Sequence, residues 1–472
     1  MAFTEFTVRP GGSNLNAGTL DGSAEASTTP LVTYTNGGWN SGTGVFTPAS
    51  GSPVGDGVAV GHWVSVYTDG ASAPTGFHGR VTARDATTIT VSTTAKSGTA
   101  PTTGASGLTL VVGGAWAGPG GASGFPFGFV AKTATDAGGN YPRVNFKAGT
   151  YSVTAAVAHG AAGPVMFQGY TSTFGDGGFA TLDGGTSGAS YDLLTLSGQY
   201  LDLADFKLSN NGATGNANGL VHSSLFGSLS RVAVTGVLGA GFSLSGGQGW
   251  AAECEAYACN ASNSGGLGAF LITSTYLLTR CVAHDNAGGN NVGFTYSSTP
   301  RFVECIADTN GSHGFYCSSG SGAATLLGCD SYNNGGDGVL ITSGFNCCYV
   351  ENCNLVKNSG YGVNFSSATD NHGLVRNCGF GSGTQANASG QTNNLGAVVV
   401  AGSVTYASGV TPWADPANGD FRVALAAAKA AGRGAYTQTQ GGYAGTVGYP
   451  DIGAAQHQDS GGAGGRAYIL GG

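Results

Sequence analysis

Three stretches decide the fold: CIADTNGSHGFYC at 305–317, CDSYNNGGDGVLI at 329–341 and CNLVKNSGYGVNF at 353–365. Laid under one another, they match in frame. Cys281, Cys305, Cys329 and Cys353 fall 24 residues apart, with Cys254 lying 27 residues before the series and Cys378 25 after it. Asn286, Asn310, Asn334 and Asn358 repeat the same interval, and Gly314, Gly338 and Gly362 form a third series, each followed by an apolar residue. Self-similarity at a fixed period of this size marks a solenoid, in which each repeat buries its apolar side only against its neighbours.

The unit reads as β. Short alternating runs such as GVLITS (338–343) are punctuated by turn compositions such as NNGGDG (333–338) and KNSGYG (357–362), and no apolar stripe of helical period crosses the repeats. About 24 residues make three short strands with their turns, the size of one coil of a parallel β-helix. Stacked coils bring equivalent residues to about 4.8 Å. At that spacing Asn amides can bond up the column, and the Asn itself is expected in the left-handed turn conformation. The Cys series is expected to fill an inner column as small buried hydrophobes. Zinc ligation is disfavoured because Cys254/Cys259 and Cys347/Cys348 lack a matching knuckle, whereas disulfides between neighbouring coils are sterically allowed. Free thiols fit best, with Cys317, Cys347 and Cys348 left open. Neither a metal nor a cofactor is expected.

Composition agrees with a weakly charged, turn-rich array. The 472 residues include 87 Gly and 14 Pro without a collagen period, and 41% hydrophobic content argues against disorder. With 17 Lys and Arg against 25 Asp and Glu, the net charge of −8 leaves no basic stripe for nucleic acid. The start lacks a basic region followed by an apolar run, and no apolar stretch reaches the roughly 20 residues of a membrane span, so neither a secretory signal nor membrane insertion is expected. A virion component released by lysis fits that pattern, and the expected location is the virion or the cell exterior.

Outside the repeat, residues 1–26 read as an N-terminal strand or arm. Residues 27–115, with HWVSVYTDG, FHGRVTARD, ATTITVSTTA and LTLVVGG, read as an inserted antiparallel β-module. In 116–141, Phe127, Val130, Ala131 and Ala134 fall at helical spacing and predict a capping helix. The β-helix proper is expected over 142–410. Residues 411–472 lose the rhythm and predict a C-terminal cap, a short helix over Val423 to Ala431 and a Gly-rich tail.

These residues carry a family resemblance. KAGTYSV at 147–153, followed by repeats in which a Cys precedes an Asn by five residues and a Gly-apolar step follows, resembles the right-handed parallel β-helices of the pectate-lyase-like superfamily. The opening FTVRPGGSNLNAGT and the closing DFRV and YPDIGAAQ are similar to the ends of such domains, and the resemblance spans about 1–20 and 116–456. The interrupted start looks like the arrangement in phage-encoded β-helix proteins. The resemblance implies a fold, not a substrate, because that superfamily holds polysaccharide lyases and hydrolases, phage tailspikes and surface adhesins.

Sugar cleavage needs clustered carboxylates. The superfamily's polygalacturonase pattern is absent, and GSHG at 311–314 is only an echo of it. Aligned on the repeat, Asp308, His313 and Asp337 are the catalytic candidates, joined around one turn by His284 and Asp285, and a His beside a carboxylate can act as a tuned base. The plainer reading is that polar residues beside a turn face solvent. Tyr296, Tyr316, Tyr332 and Tyr361 are candidates for stacking on sugars, while Phe294 and Phe315 are expected inside. The leading expectation is a structural virion appendage (tailspike, fibre or capsid spike) that presents a rigid surface to a host or glycan. Its expected partners are other virion proteins and further copies of itself, a homotrimer by resemblance. A carbohydrate-active enzyme and a bacterial surface adhesin are the alternatives.

Overall fold

The computed structural model describes residues 3–13, 17–20, 23–69, 77–97, 100–102, 104–117, 141–160, 162–260, 268–318, 323–342, 347–366, 373–381, 388–389, 398–401, 404–418 and 420–425. They form two compact units, residues 1–185 with 192–208, and residues 186–191 with 209–472. Among the described residues there is no α-helix, only a 3-10 turn at Pro416–Asn418. The expected capping helix at Phe127 to Ala134 and the Gly-rich tail lie outside the described residues. Val423, the expected start of a C-terminal helix, instead ends the strand Asp420–Val423, and the rest of that span from residue 426 also lies outside them.

In the first unit the opening strand Phe3–Val8 pairs in parallel with Tyr141–Lys147, which pairs in turn with Ala162–Tyr170. A buried polar relay fixes this long-range register. Glu5 accepts from Arg143 Nε at 2.9 Å and from Asn145 Nδ2 at 2.8 Å, and Asn145 Oδ1 accepts from Gln168 Nε2 at 2.7 Å. The intervening chain closes an antiparallel barrel of six strands, Val32–Asn40, Val45–Thr47, Ile89–Ser97, Phe77–Arg84, Trp63–Thr68 and Ala105–Val112. Its interior is Tyr34, Trp39, Phe46, Phe77, Ile89 and Leu110 with their Val neighbours. The Phe6 ring lies flat on Trp116 at 5.1 Å and edge-on to Trp63 at 5.2 Å, so the opening strand shares aromatic packing with the barrel.

The second unit is a parallel solenoid with three faces. Gly249–Ala252, Tyr276–Thr279, Arg301–Val303, Ala323–Leu327, Cys347–Glu351 and Gly373–Arg376 stack on the first. Glu255–Tyr257, Val282–His284, Ile306–Asp308, Asp330–Tyr332 and Asn354–Val356 stack on the second. Phe242–Leu244, Gly268–Ile272, Val292–Tyr296, Phe315–Cys317, Val339–Ile341 and Val363–Phe365 stack on the third.

Both Cys and Asn repeats follow sharp corners. Between the first two faces Glu253, Arg280, Glu304, Asn352 and Asn377 have φ of 51–55° and Gly328 has φ of 60°, and each precedes a fully buried Cys. At the next corner Asp285, Thr309, Asn333 and Lys357 have φ of 51–58°, and each precedes a ladder Asn. The left-handed residue is therefore the one before the Asn, which corrects the expectation. The turn residue takes the strained conformation so that the next side chain points inward. Asn286, Asn310 and Asn334 each donate through Nδ2 to the next Oδ1 in the column at 2.7, 2.9 and 2.8 Å. In the coil before Asn286, Cys259 takes the Asn place and donates its backbone N–H to Asn286 Oδ1 at 2.8 Å. The series thus runs one coil further than the Asn residues alone reveal.

Cys254, Cys281, Cys305, Cys329, Cys353 and Cys378 line one inner column and are free thiols, as are Cys259, Cys317 and Cys348. The Cys347 side chain lies outside the described residues. Burial pushes the Cys259 thiol up to about 12. Phe242, Phe270, Phe294 and Phe315 stack up the interior of the third face with ring centroids 4.5–4.9 Å apart. An antiparallel hairpin of Trp413–Asp415 and Asp420–Val423 folds over the second face and packs Trp413, Phe421 and Val423 on Tyr332 and Val356.

Candidate functional site

The corner between the second and third faces positions the polar side chains. His313 and Asp337 occupy equivalent places three residues after Asn310 and Asn334, so coil stacking puts one above the other. The Asp337 backbone N–H donates to His313 Nδ1 at 2.8 Å, and Asp337 Oδ2 lies 3.4 Å from the same nitrogen. With Nδ1 accepting, the neutral ring carries its proton on Nε2, a tautomer assigned from the hydrogen bond. Burial holds the His313 pKa below its ordinary value although Asp337 pulls it up. The carboxylate of Asp337 is committed upward: Oδ1 accepts the Tyr361 N–H at 2.6 Å and Oδ2 accepts Asn364 Nδ2 at 3.0 Å. The Tyr316 ring lies 5.6 Å from the His313 ring.

Two glycines make room for this stack. A Cβ on Gly336 would meet His313 Nδ1 at 2.6 Å, and one on Gly360 would meet Asp337 Oδ1 at 2.2 Å. Their role and that of Asn364 escaped the sequence reading, although both glycines sit two residues after a ladder Asn.

Asp308 belongs to a different group. It lies on the second-face strand before the Asn310 corner, in register between His284 and Tyr332, and its carboxylate accepts from Thr309 Oγ1 at 2.7 Å. The neighbouring His284 is held between Glu255 Oε1 at 2.9 Å from Nε2 and Asp285 Oδ2 at 2.8 Å from Nδ1. Its ring stacks on Tyr257 at 5.2 Å. Burial opposes the charged ring, but the bonds to Glu255 and Asp285 outweigh it and raise the His284 pKa. One turn therefore does not gather all the candidates. His313 pairs with Asp337, and Asp308 sits beside His284.

The tyrosines divide likewise. Tyr316 and Tyr361 are half-buried on the third-face side. Tyr296 is only 1% exposed, and Tyr332 is sealed by Trp413 at 5.3 Å and Phe421 at 6.0 Å. Neither ring offers a face to a sugar, because Tyr296 points into the coil and the hairpin covers Tyr332. A pocket of about 350 Å³ in the first unit is lined by Leu20, Glu25, Ser27 and Leu31. Glu25 there holds Arg9, Lys147 and the Tyr170 hydroxyl at 3.0, 2.8 and 3.0 Å. Among the described residues no group of three or more His, Cys, Asp or Glu is arranged to hold a metal ion.

With this geometry in hand, residues 218–380 match the family model described as right handed beta helix region. The solenoid is a right-handed β-helix. It is built of parallel coils, and the N-terminal part of the sequence forms a small antiparallel barrel. Two solved structures are similar to the β-helix chain. The crystal structure of pectate lyase Pel9A is 14% identical, covers 67% of this chain and 88% of its own, and has a TM-score of 0.44. The A-module of mannuronan C-5 epimerase AlgE6 from Azotobacter vinelandii is 15% identical, covers 56% of this chain and 66% of its own, and has a TM-score of 0.32. No curated protein matches the sequence.

Proposed function

We propose that this β-helix is a rigid display element that contacts glycans through its third face and serves in a virion appendage such as a tailspike, fibre or capsid spike. The observation that carries the reading is the His313 geometry. A neutral imidazole whose Nδ1 is occupied by the Asp337 N–H at 2.8 Å is a fixed Nε2 donor, and it stands beside the Tyr316 ring. A donor next to an aromatic ring suits a polyhydroxylated ligand that stacks one face and bonds through a hydroxyl. The same geometry disfavours His313 as a general base, since base action needs the other tautomer and the loss of that bond. The barrel inserted after the first strand, in the arrangement that resembles phage β-helix proteins, supports the virion placement.

A glycan array probed with the full chain tests the site. We expect binding that falls about tenfold or more in His313→Ala and in Tyr316→Ala. Absence of any glycan binding, or equal binding by both variants, overturns the reading. Co-sedimentation of the chain with phage particles tests the virion placement, and its recovery only in particle-free fractions overturns that part.

A second reading, a polysaccharide lyase or glycoside hydrolase, is favoured by one observation: the buried Glu255 and exposed Asp285 flank His284 beside Asp308. Release of reducing ends or unsaturated sugars from a bound glycan, abolished in Glu255→Gln, establishes it. Intact glycan after prolonged incubation rejects it.

A further inference from the structure

The chemistry of the third face narrows the sugar it can take. Tyr316, Leu340 and Asn364 are register partners in successive coils, about 4.8 Å apart. Each lies between two buried residues of its strand, so the three side chains point outward in one column. His313 stands beside the first of them, with its ring 5.6 Å from that of Tyr316. All four residues are half-buried.

The hydrogen-bonding capacity left for a ligand is lopsided. The Asp337 N–H occupies His313 Nδ1 at 2.8 Å, which leaves Nε2–H as a donor on a side chain that is 22% exposed. Both Asp337 oxygens are spent, on the Tyr361 N–H and on Asn364 Nδ2. Asn364, held there by its Nδ2, keeps Oδ1 as an acceptor. Beside the Tyr316 ring there is thus a donor and, one coil up, an aliphatic side chain. Apart from the Tyr316 hydroxyl, the acceptor of the column comes two coils up, about 10 Å away.

The column is also neutral. It runs Ser243, Leu271, Thr295, Tyr316, Leu340 and Asn364 without a charged side chain. A uronate would find no cation on it, and a free amino sugar no open carboxylate, since Asp337 is only 6% exposed with both oxygens engaged. Hydroxyls both donate and accept, so a site built for hydroxyls alone mixes both kinds of partner. A donor beside an aromatic ring and a leucine matches instead a group that accepts at one end and is apolar at the other. The acetamido group of a sugar has that form, with a carbonyl oxygen to accept and a methyl to bury.

We propose that this strip recognises an N-acetylated hexosamine, with the acetamido carbonyl on His313 Nε2 and the methyl packed on the Tyr316 ring and Leu340. The assignment rests on the glycan reading of the third face and names the sugar within it. A neighbouring sugar along the column donates a hydroxyl to Asn364 Oδ1.

Three β-1,4-linked hexamers that differ only at C2 test this: chitohexaose carries acetamido groups, cellohexaose hydroxyls and the glucosamine hexamer ammonium groups. Titration calorimetry with the full chain is expected to give chitohexaose an affinity at least about tenfold above the other two. Tyr316→Ala is expected to abolish binding of all three, which reports on the glycan site itself. Leu340→Ser, at a half-buried surface position, is expected to bring chitohexaose and cellohexaose within about threefold of each other while the melting curve stays that of the wild type. Leu340→Met keeps an apolar contact and should keep the preference. Cellohexaose bound as tightly as chitohexaose, with both lost in Tyr316→Ala, overturns the acetamido assignment and leaves the glycan reading standing. A preference that survives Leu340→Ser also overturns it, because the methyl then sits elsewhere. Tightest binding of the glucosamine hexamer overturns it in favour of charge recognition. Binding of none of the three overturns it too, and the glycan array then decides whether the third face takes any sugar.

Discussion

The backbone N–H of Asp337 is capped by the side chain of His313 one coil below, at 2.8 Å on Nδ1. Asp337 repeats the step, accepting the Tyr361 N–H of the next coil at 2.6 Å. Side chains at this corner thus serve as acceptors for the following turn. The glycine before Asp337 is required for that approach, because a methyl group there would sit 2.6 Å from the ring nitrogen. Gly336→Ala should therefore displace the imidazole and lower the melting temperature, by about 1–3 kcal/mol of stability. His313→Ala should cost about 1–2 kcal/mol by leaving the Asp337 N–H without its acceptor. Combined with Gly336→Ala, it should add little, because the clash is then gone. Fully additive losses in thermal unfolding would show that the two sites do not touch.

The Asn column makes a stronger prediction. Asn334 is 1% exposed. Its Oδ1 accepts both the N–H and Nδ2 of Asn310, at 3.0 and 2.9 Å, and its Nδ2 donates to Ala307 O, Ser331 Oγ and Asn358 Oδ1. Asn334→Leu removes all of these and leaves the Asn310 N–H and the Ala307 carbonyl buried without a side-chain partner. A loss of about 3–5 kcal/mol in chemical denaturation is expected, against less than about 1 kcal/mol for the exposed turn residue Asn333→Asp. A loss below 1 kcal/mol at Asn334 would mean that the column is ornamental.

Much of this was legible from one-dimensional spacing. Stacking converts a 24-residue interval into a contact between neighbours, so the Cys, Asn and His313–Asp337 relationships could all be read by aligning the repeats. The third-face column was legible by the same rule and was read only at Tyr316, although Leu340 and Asn364 also stand six residues after a ladder Asn. Period alone does not tell which side of a strand faces water or what covers it. Tyr332 looked exposed until the hairpin of Trp413 and Phe421, distant in sequence, was placed over it. Nor does spacing separate the two sides of a corner, which is why Asp308 seemed to join His313 although it lies before Asn310.

The two histidines predict opposite pH dependences. His284 has a raised pKa in the fold, so its contribution to stability is complete below the unfolded value and is lost as pH rises through the folded one. His313 has a lowered pKa, so its contribution is present above the unfolded value and is lost as pH falls through the folded one. Between about pH 5 and 8, where His residues titrate, His284→Gln should therefore cost most stability at the acid end, and His313→Gln most at the neutral end. Melting temperatures of the two variants relative to wild type, measured across that range, should cross. Parallel curves would refute the assigned charge states.

The thiol column separates packing from redox chemistry. Cys305 is fully buried, and its Sγ donates weakly to Leu278 O at 3.5 Å and Val303 O at 3.6 Å. Burial drives its pKa well above the ordinary thiol value, which suppresses the thiolate needed for alkylation or disulfide exchange. Full burial also seals Cys254, Cys281, Cys305, Cys329, Cys353 and Cys378 from reagent, so all six should resist iodoacetamide in the folded chain, and the melting temperature should be unchanged by reductant because these six are free thiols. Cys305→Ala leaves a cavity of one sulfur and should cost about 1–2 kcal/mol. Cys305→Ser keeps the shape but buries a more strongly hydrated hydroxyl, and it should cost at least as much unless the hydroxyl forms a shorter bond to the carbonyls that Sγ now contacts. If the serine variant proves clearly the more stable of the two, the column acts as a polar ladder and not as apolar filling.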